Sequence, residues 1–115
     1  MKKFLVLYLA PVSILEEWAK TDPETQKKEE AKMKAEWDAW MKEHGAAIKE
    51  TAGAGKTKRV AQEGVVDTKN NIMLFSIVEA ESHEAAAKMF ENHPHLGIPE
   101  ATIEIMPANY LPGME

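Results

Sequence analysis

The segment ENHPHLGIP, residues 91–99, holds two of the four histidines of this chain and is its best candidate for chemistry. An imidazole titrates near neutral pH, so it can give or take a proton without a cofactor. His93 and His95 stand where a helix hands over to the last strand, a position that often borders a cavity. His93 is read as the catalytic acid or base and His95 as a ligand contact. Asp67 in a loop, or Glu104 on the last strand, would supply the second titratable group. The competing reading is a helix-ending turn in which His93 caps carbonyls and His95 faces solvent. No metal is expected, because two histidines without an evident third ligand make a weak site. No cofactor is expected either.

Tyr8 sits inside an apolar run, where a buried phenol requires a hydrogen-bond partner. On a face looking into a cavity it would orient a ligand. Lys56 and Arg59 lie in a glycine-rich stretch and would draw a substrate carboxylate to a pocket mouth. That stretch, ETAGAGKTKRV at residues 50–60, ends like a P-loop. A working P-loop needs Gly at its first position and a helix beginning at the Lys. Here Glu50 holds the Gly position, and KTKRVAQEGVV is β-branched and interrupted by Gly64. Phosphate cradling is therefore rejected, and a solvated turn carrying Lys56, Lys58 and Arg59 is the ordinary alternative.

Composition narrows the function classes. The 115 residues are 44% apolar with three Trp, enough for one domain with a small core. A net charge of −5 gives no basic face for nucleic acid. The absence of Cys removes disulfides, thiolate catalysis and thiolate metal sites, in keeping with a cytoplasmic location. MKKFLVLYLAPV has the two lysines and apolar run of a secretory signal, but Pro11 breaks the run and no Ala-x-Ala-like site follows. No apolar stretch is long enough to span a bilayer, so no membrane partner is expected.

The elements that must position these residues follow from patterning. Residues 4–10 are almost all large and apolar, as in a strand buried on both faces. SILE has capping-box spacing at Ser13, and Thr21 with Glu24 repeats it around Pro23 at the start of a long helix. Met33, Trp37, Trp40 and Met41 form the buried stripe of that helix, and Glu24 with Lys28 and Glu30 with Lys34 are its expected ion pairs. Gly45 supplies the stop. AAIKET reads as a second strand, residues 53–71 as a loop or ragged hairpin, and NIMLFSIVEA as a third strand with apolar side chains on both faces. Ser82 caps a helix with Ala85, Ala86, Met89 and Phe90 on its apolar side, and TIEIM is the last strand.

The order β-α-β-β-α-β is that of an α+β, ferredoxin-like domain: a four-stranded antiparallel sheet with two helices on one face. Strands apolar on both faces require cover on the other face too, since a large aliphatic side chain left in water forfeits on the order of 1.5–3 kcal/mol. No segment remains to supply it. A homodimer with the sheets face to face, a dimeric α/β-barrel enclosing a cavity, is the expected assembly.

Five segments taken in order resemble the YCII-related proteins of the dimeric α/β-barrel superfamily. They are KKFLVLYLAP, WDAWMKEHGAAI, GAGK, FSIVEAESHEAAAKMFENHPHL and IEIMPANYLPGM, and together they cover most of the chain. The resemblance implies the same fold and homodimer, with a small pocket between helices and sheet. It also implies a His and Asp pair working as acid and base, in a superfamily of lactone isomerases, dehydrochlorinases and cofactor-free monooxygenases of small cyclic substrates. The sequence departs from the family where Glu63-Gly64-Val65-Val66 replaces Asp-Gly-Pro-Phe and where His93-Pro94 replaces Asp-Pro. The functional expectation is a small enzyme in which His93, with Asp67, moves protons on a small cyclic or aromatic acid. Lys56 or Arg59 would steer the acid, and Tyr8 would orient it. The alternative is a non-catalytic dimer that binds a small ligand or regulates, and a third reading makes the charged residues 26–32 a docking surface.

Overall fold

A computed structural model describes residues 1–113 of the chain. The apolar N-terminal run forms β1 (Lys2–Leu9), followed by α1 (Val12–Ala19) and the long α2 (Pro23–His44). Next come β2 (Ile48–Gly53), β3 (Thr57–Ala61), β4 (Gly64–Thr68) and β5 (Ile72–Ala80). The chain ends with α3 (His83–Met89), a 3₁₀ turn over Pro94–Gly97, and β6 (Thr102–Pro107). The main sheet has the strand order β2-β5-β1-β6, antiparallel throughout, and β3 and β4 pair as a separate hairpin. This is the ferredoxin-like α+β architecture expected from the element order.

Strand alternation decides which side chains reach the helices. On β1, Phe4, Val6 and Tyr8 are buried, and Ser76, Val78 and Ala80 of β5 join them on the same face. Trp40 of α2, Ala86 of α3 and Phe90 just after it close the core over this face, with Trp37, Met41, Ile103 and Ile105 at its margin. The opposite face carries Leu5, Leu7 and Leu9 of β1, Phe75 and Ile77 of β5, and Met106 of β6, all only half-buried. The Cα trace spans 49 × 46 × 19 Å, a plate whose short dimension fits one sheet and one helix layer.

Local chemistry shifts several element boundaries. Pro11, not Ser13, occupies the N-cap of α1; its φ of −58° is preset by the ring, no side chain caps the helix, and Ser13 falls within the first turn. In α2 the cap is Asp22 rather than Thr21. Its Oδ2 accepts from the Thr25 backbone N–H at 3.0 Å and its Oδ1 from the Thr25 hydroxyl at 2.8 Å, with Pro23 in the first turn. The Thr21 hydroxyl instead donates to the Glu17 carbonyl at 3.3 Å. Lys34 bonds Asp38 at 2.8 Å, one turn onward, rather than Glu30. Ser82 caps α3 as its spacing predicts, accepting from Ala85 N–H at 3.0 Å.

Within the stretch 53–71, residues 57–68 form a hairpin. Gly64, with φ of 135°, takes a backbone conformation closed to side chains with a Cβ, and so allows the two-residue turn at Gln62 and Glu63. Lys56 leads directly into β3. No helix begins there to aim amide groups at phosphate, so the P-loop likeness carries no site. Among the described residues no helix is long and apolar enough to cross a membrane.

Candidate functional site

The site is built on the 3₁₀ turn that follows α3. Pro94 has no N–H and holds His93 in an extended conformation, φ −66° and ψ 138°. The first backbone N–H available to the His93 side chain is therefore that of His95. It donates to His93 Nδ1 at 3.0 Å, so the His93 ring caps the 3₁₀ turn by accepting. This turns the ring inward, and only 2% of the His93 surface is exposed.

His95 is equally buried, at 1% exposure. Its Nε2–H donates to the carbonyl of Leu9 at 2.9 Å, tying the turn to the end of β1. Burial lowers its pKa, while its bonds to the Leu9 and Thr102 carbonyls work in the opposite direction. The turn-only expectation of a solvated His95 therefore does not describe this structure, and neither does a His93 that donates to carbonyls.

Aromatic rings surround His93. Trp37 and Trp40 stand edge to face with it, centroids 4.4 and 4.6 Å away, and Tyr8 and Phe90 lie at 5.3 and 5.6 Å. Trp40 is itself fixed by donating Nε1–H to the Met89 carbonyl at 3.1 Å. Burial, with smaller repulsions from His95 and His44, pushes the His93 pKa from 6.5 down to about 4. The ring is neutral at physiological pH. With Nδ1 already accepting, the proton resides on Nε2, and Nε2 is buried without a hydrogen-bond partner among the described residues.

Beside this cage runs a row of three hydroxyls across the sheet. Tyr8 Oη lies 2.7 Å from Ser76 Oγ, which lies 2.7 Å from Thr51 Oγ1. Tyr8 and Ser76 are fully buried, whereas Thr51 is on the edge strand β2. Burial raises the Tyr8 pKa, and the Ser76 bond offsets part of that rise. The sequence had flagged Tyr8 but neither hydroxyl partner; a Ser in the apolar row of NIMLFSIVEA was the available signal.

Two clefts open nearby. One of about 660 Å³ lies between α1 and α2, with an apolar wall that includes Ile14, Leu15, Trp18, Met33, Trp37 and Ile98. Glu29, Glu30, Lys34 and Asp38 stand at its rim. Trp37 thus shows the cleft one side of its ring system and packs against His93 with another. The second cleft, about 1010 Å³, lies between α1 and the β3–β4 hairpin, and Lys56, Lys58 and Asp67 line it.

The sequence candidates therefore fall into two groups. His93, His95 and Tyr8 are mutual neighbours in the core, with Tyr8 and His95 centroids 5.6 Å apart. Lys56, Arg59 and Asp67 belong to the hairpin side: Asp67 accepts from Lys58 Nζ at 2.6 Å, and Arg59 Nη2 donates to Thr68 Oγ1 at 3.4 Å. Within the described chain no carboxylate contacts His93, and Asp67 is paired elsewhere. Glu104 projects from β6 opposite Leu7, on the face away from the helices. No cluster of three metal-ligating side chains occurs among the described residues.

No family model matches this chain, and no curated protein matches it significantly. Among solved structures it is similar to 5-chloro-2-hydroxyhydroquinone dehydrochlorinase (TftG) from Burkholderia phenoliruptrix AC1100, in complex with 2,5-dihydroxybenzoquinone. The match covers 96% of each chain at 15% sequence identity, with a TM-score of 0.55. At that identity the likeness establishes the fold: this chain shares a ferredoxin-like α+β architecture with TftG along almost its whole length.

Proposed function

We propose that this protein is a small enzyme acting on a small cyclic or aromatic oxygenated compound, bound against the Trp37 wall of the α1–α2 cleft and engaged by His93. The observation that carries this reading is His93 itself: a buried, neutral imidazole with one unpartnered nitrogen, one ring away from an apolar cleft. Buried polar atoms without partners are rare in folded proteins and concentrate where a ligand or reaction uses them. Trp18, Trp37 and Met33 suit a flat ring. Lys34 lines that cleft but is bonded to Asp38, and Glu17, Glu29 and Glu30 line it too, so the cleft suits a neutral oxygenated ring better than a carboxylate; Lys56 lines the neighbouring cleft. TftG, of the same fold, is named for action on a chlorinated hydroxyhydroquinone, which is support by analogy. The working unit is a homodimer joined through the uncovered sheet face, in a family such as the YCII-related proteins.

The test is incubation with a panel of hydroquinones, 2,5-dihydroxybenzoquinone and small aromatic acids, read by mass spectrometry for product and calorimetry for binding. Turnover of one of them, lost in His93→Ala with the fold retained, supports the enzyme. One observation favours the second reading, a non-catalytic ligand-binding dimer: the Lys58–Asp67 pair leaves His93 without a carboxylate partner. That reading expects saturable binding and an unchanged ligand.

A further inference from the structure

We infer that His93 serves as a neutral hydrogen-bond donor, presenting Nε2–H to an acceptor oxygen of the ligand, and not as a base. The inference rests on the reading above, in which the α1–α2 cleft takes a small oxygenated ring, and it specifies the chemistry of the contact. A base must offer a lone pair. On His93 the Nδ1 lone pair is taken by the His95 backbone N–H at 3.0 Å. For Nε2 to offer one, the proton would have to sit on Nδ1 and point at that N–H, setting two donors against each other 3.0 Å apart. The Pro94–Gly97 turn holds the His95 N–H in place, so the turn itself selects the Nε2–H tautomer.

The surroundings keep that donor free. Trp37, Trp40, Tyr8 and Phe90 offer ring carbons, and the Tyr8 hydroxyl is bonded to Ser76 instead. A neutral imidazole donor stabilises negative charge as it builds on a carbonyl or phenolic oxygen without surrendering its own proton. The matching ligand carries an oxygen acceptor on a flat ring: a quinone, a cyclic enone or a phenolate. Trp37 both lines the cleft and packs against the imidazole, so the inference requires its ring to turn aside for a ligand oxygen to reach Nε2.

Two substitutions separate the two ring atoms. His93→Asn keeps an oxygen where Nδ1 accepts but has no donor at the Nε2 position, whereas His93→Gln sets an amide N–H near Nε2. The experiment combines long-range ¹H–¹⁵N spectra of the histidine rings with calorimetry of 2,5-dihydroxybenzoquinone binding to the full chain and both variants. The expected result is an Nε2–H ring at neutral pH whose Nε2 signal moves on adding the quinone. Binding should weaken roughly 10- to 100-fold in the Asn variant and recover to within about 10-fold in the Gln variant. An Nδ1–H ring overturns the inference while leaving a His93 base in play. An unmoved Nε2 signal beside clear quinone binding overturns it as well, and assigns His93 to the core. Failure of every panel compound to bind removes the cleft reading and the inference together.

Discussion

The backbone N–H of His95 donates to Nδ1 of His93 at 3.0 Å, and this bond holds a neutral imidazole in the core. Its consequence for stability has a definite sign. The His93 pKa is about 4 in the folded chain and near 6.5 when unfolded, so between those values the unfolded state takes up a proton that the folded state refuses. The stabilisation is complete above pH 6.5 and declines as pH falls toward 4, by on the order of 3 kcal/mol. His95, also lowered by burial, adds a change of the same sign. Urea titrations at steps between pH 7 and 4 should therefore show a steeper loss in the natural chain than in His93→Asn. Parallel losses would mean that His93 is protonated in the fold.

The hydroxyl row makes a ranking. Ser76→Ala strands the Tyr8 hydroxyl in the core without a partner, which costs about 1–3 kcal/mol. Tyr8→Phe removes one hydroxyl while Ser76 retains its bond to Thr51, and should cost about 1 kcal/mol. Thr51→Ala, at the sheet edge, should cost least. Chemical denaturation of the three variants checks the order, and a Tyr8→Phe more damaging than Ser76→Ala would sink it.

Fold and site were legible in the sequence to different depths, because they depend on interactions of different range. The strands at residues 4–10 and 72–80 announce themselves through local apolar pattern, and Ser82 through cap spacing, since both signals lie within a few residues. His93 and His95 were visible as candidates by type. Their roles were not, because the deciding facts are a bond between the two, set by Pro94, and a cage formed by Trp37 and Trp40 some fifty residues earlier. Asp67 was a plausible partner only while residues 53–71 had no structure; the hairpin register, which pairs Lys58 with Asp67, fixes where it goes.

Helix α2 offers a test of cap chemistry. Thr21 and Asp22 are adjacent residues of types that cap, but only Asp22 accepts from Thr25. Its bonds to Thr25 also hold the Asp22 pKa below the usual carboxylate range. Asp22→Ala should lower the melting temperature clearly, and Thr21→Ala, which loses one exposed bond to Glu17, by less. Equal effects in a thermal melt would mean that the helix begins one residue earlier.

The uncovered sheet face supplies the last prediction. Leu5, Leu7, Leu9, Phe75 and Ile77 are already half-buried by their neighbours, so covering them fully is worth on the order of 1 kcal/mol each, enough together to hold two sheets in contact. Substituting within this face usually confounds dimer loss with misfolding. Leu7 avoids the difficulty because it stands across from Glu104 on β6. Leu7→Lys places a cation opposite that carboxylate, a cross-strand pair that supports the monomer, while setting charges into the proposed interface. Sedimentation at micromolar concentration should give a dimer for the natural chain and a monomer with unchanged circular dichroism for Leu7→Lys. A natural chain that sediments as a monomer would show that water alone covers this face.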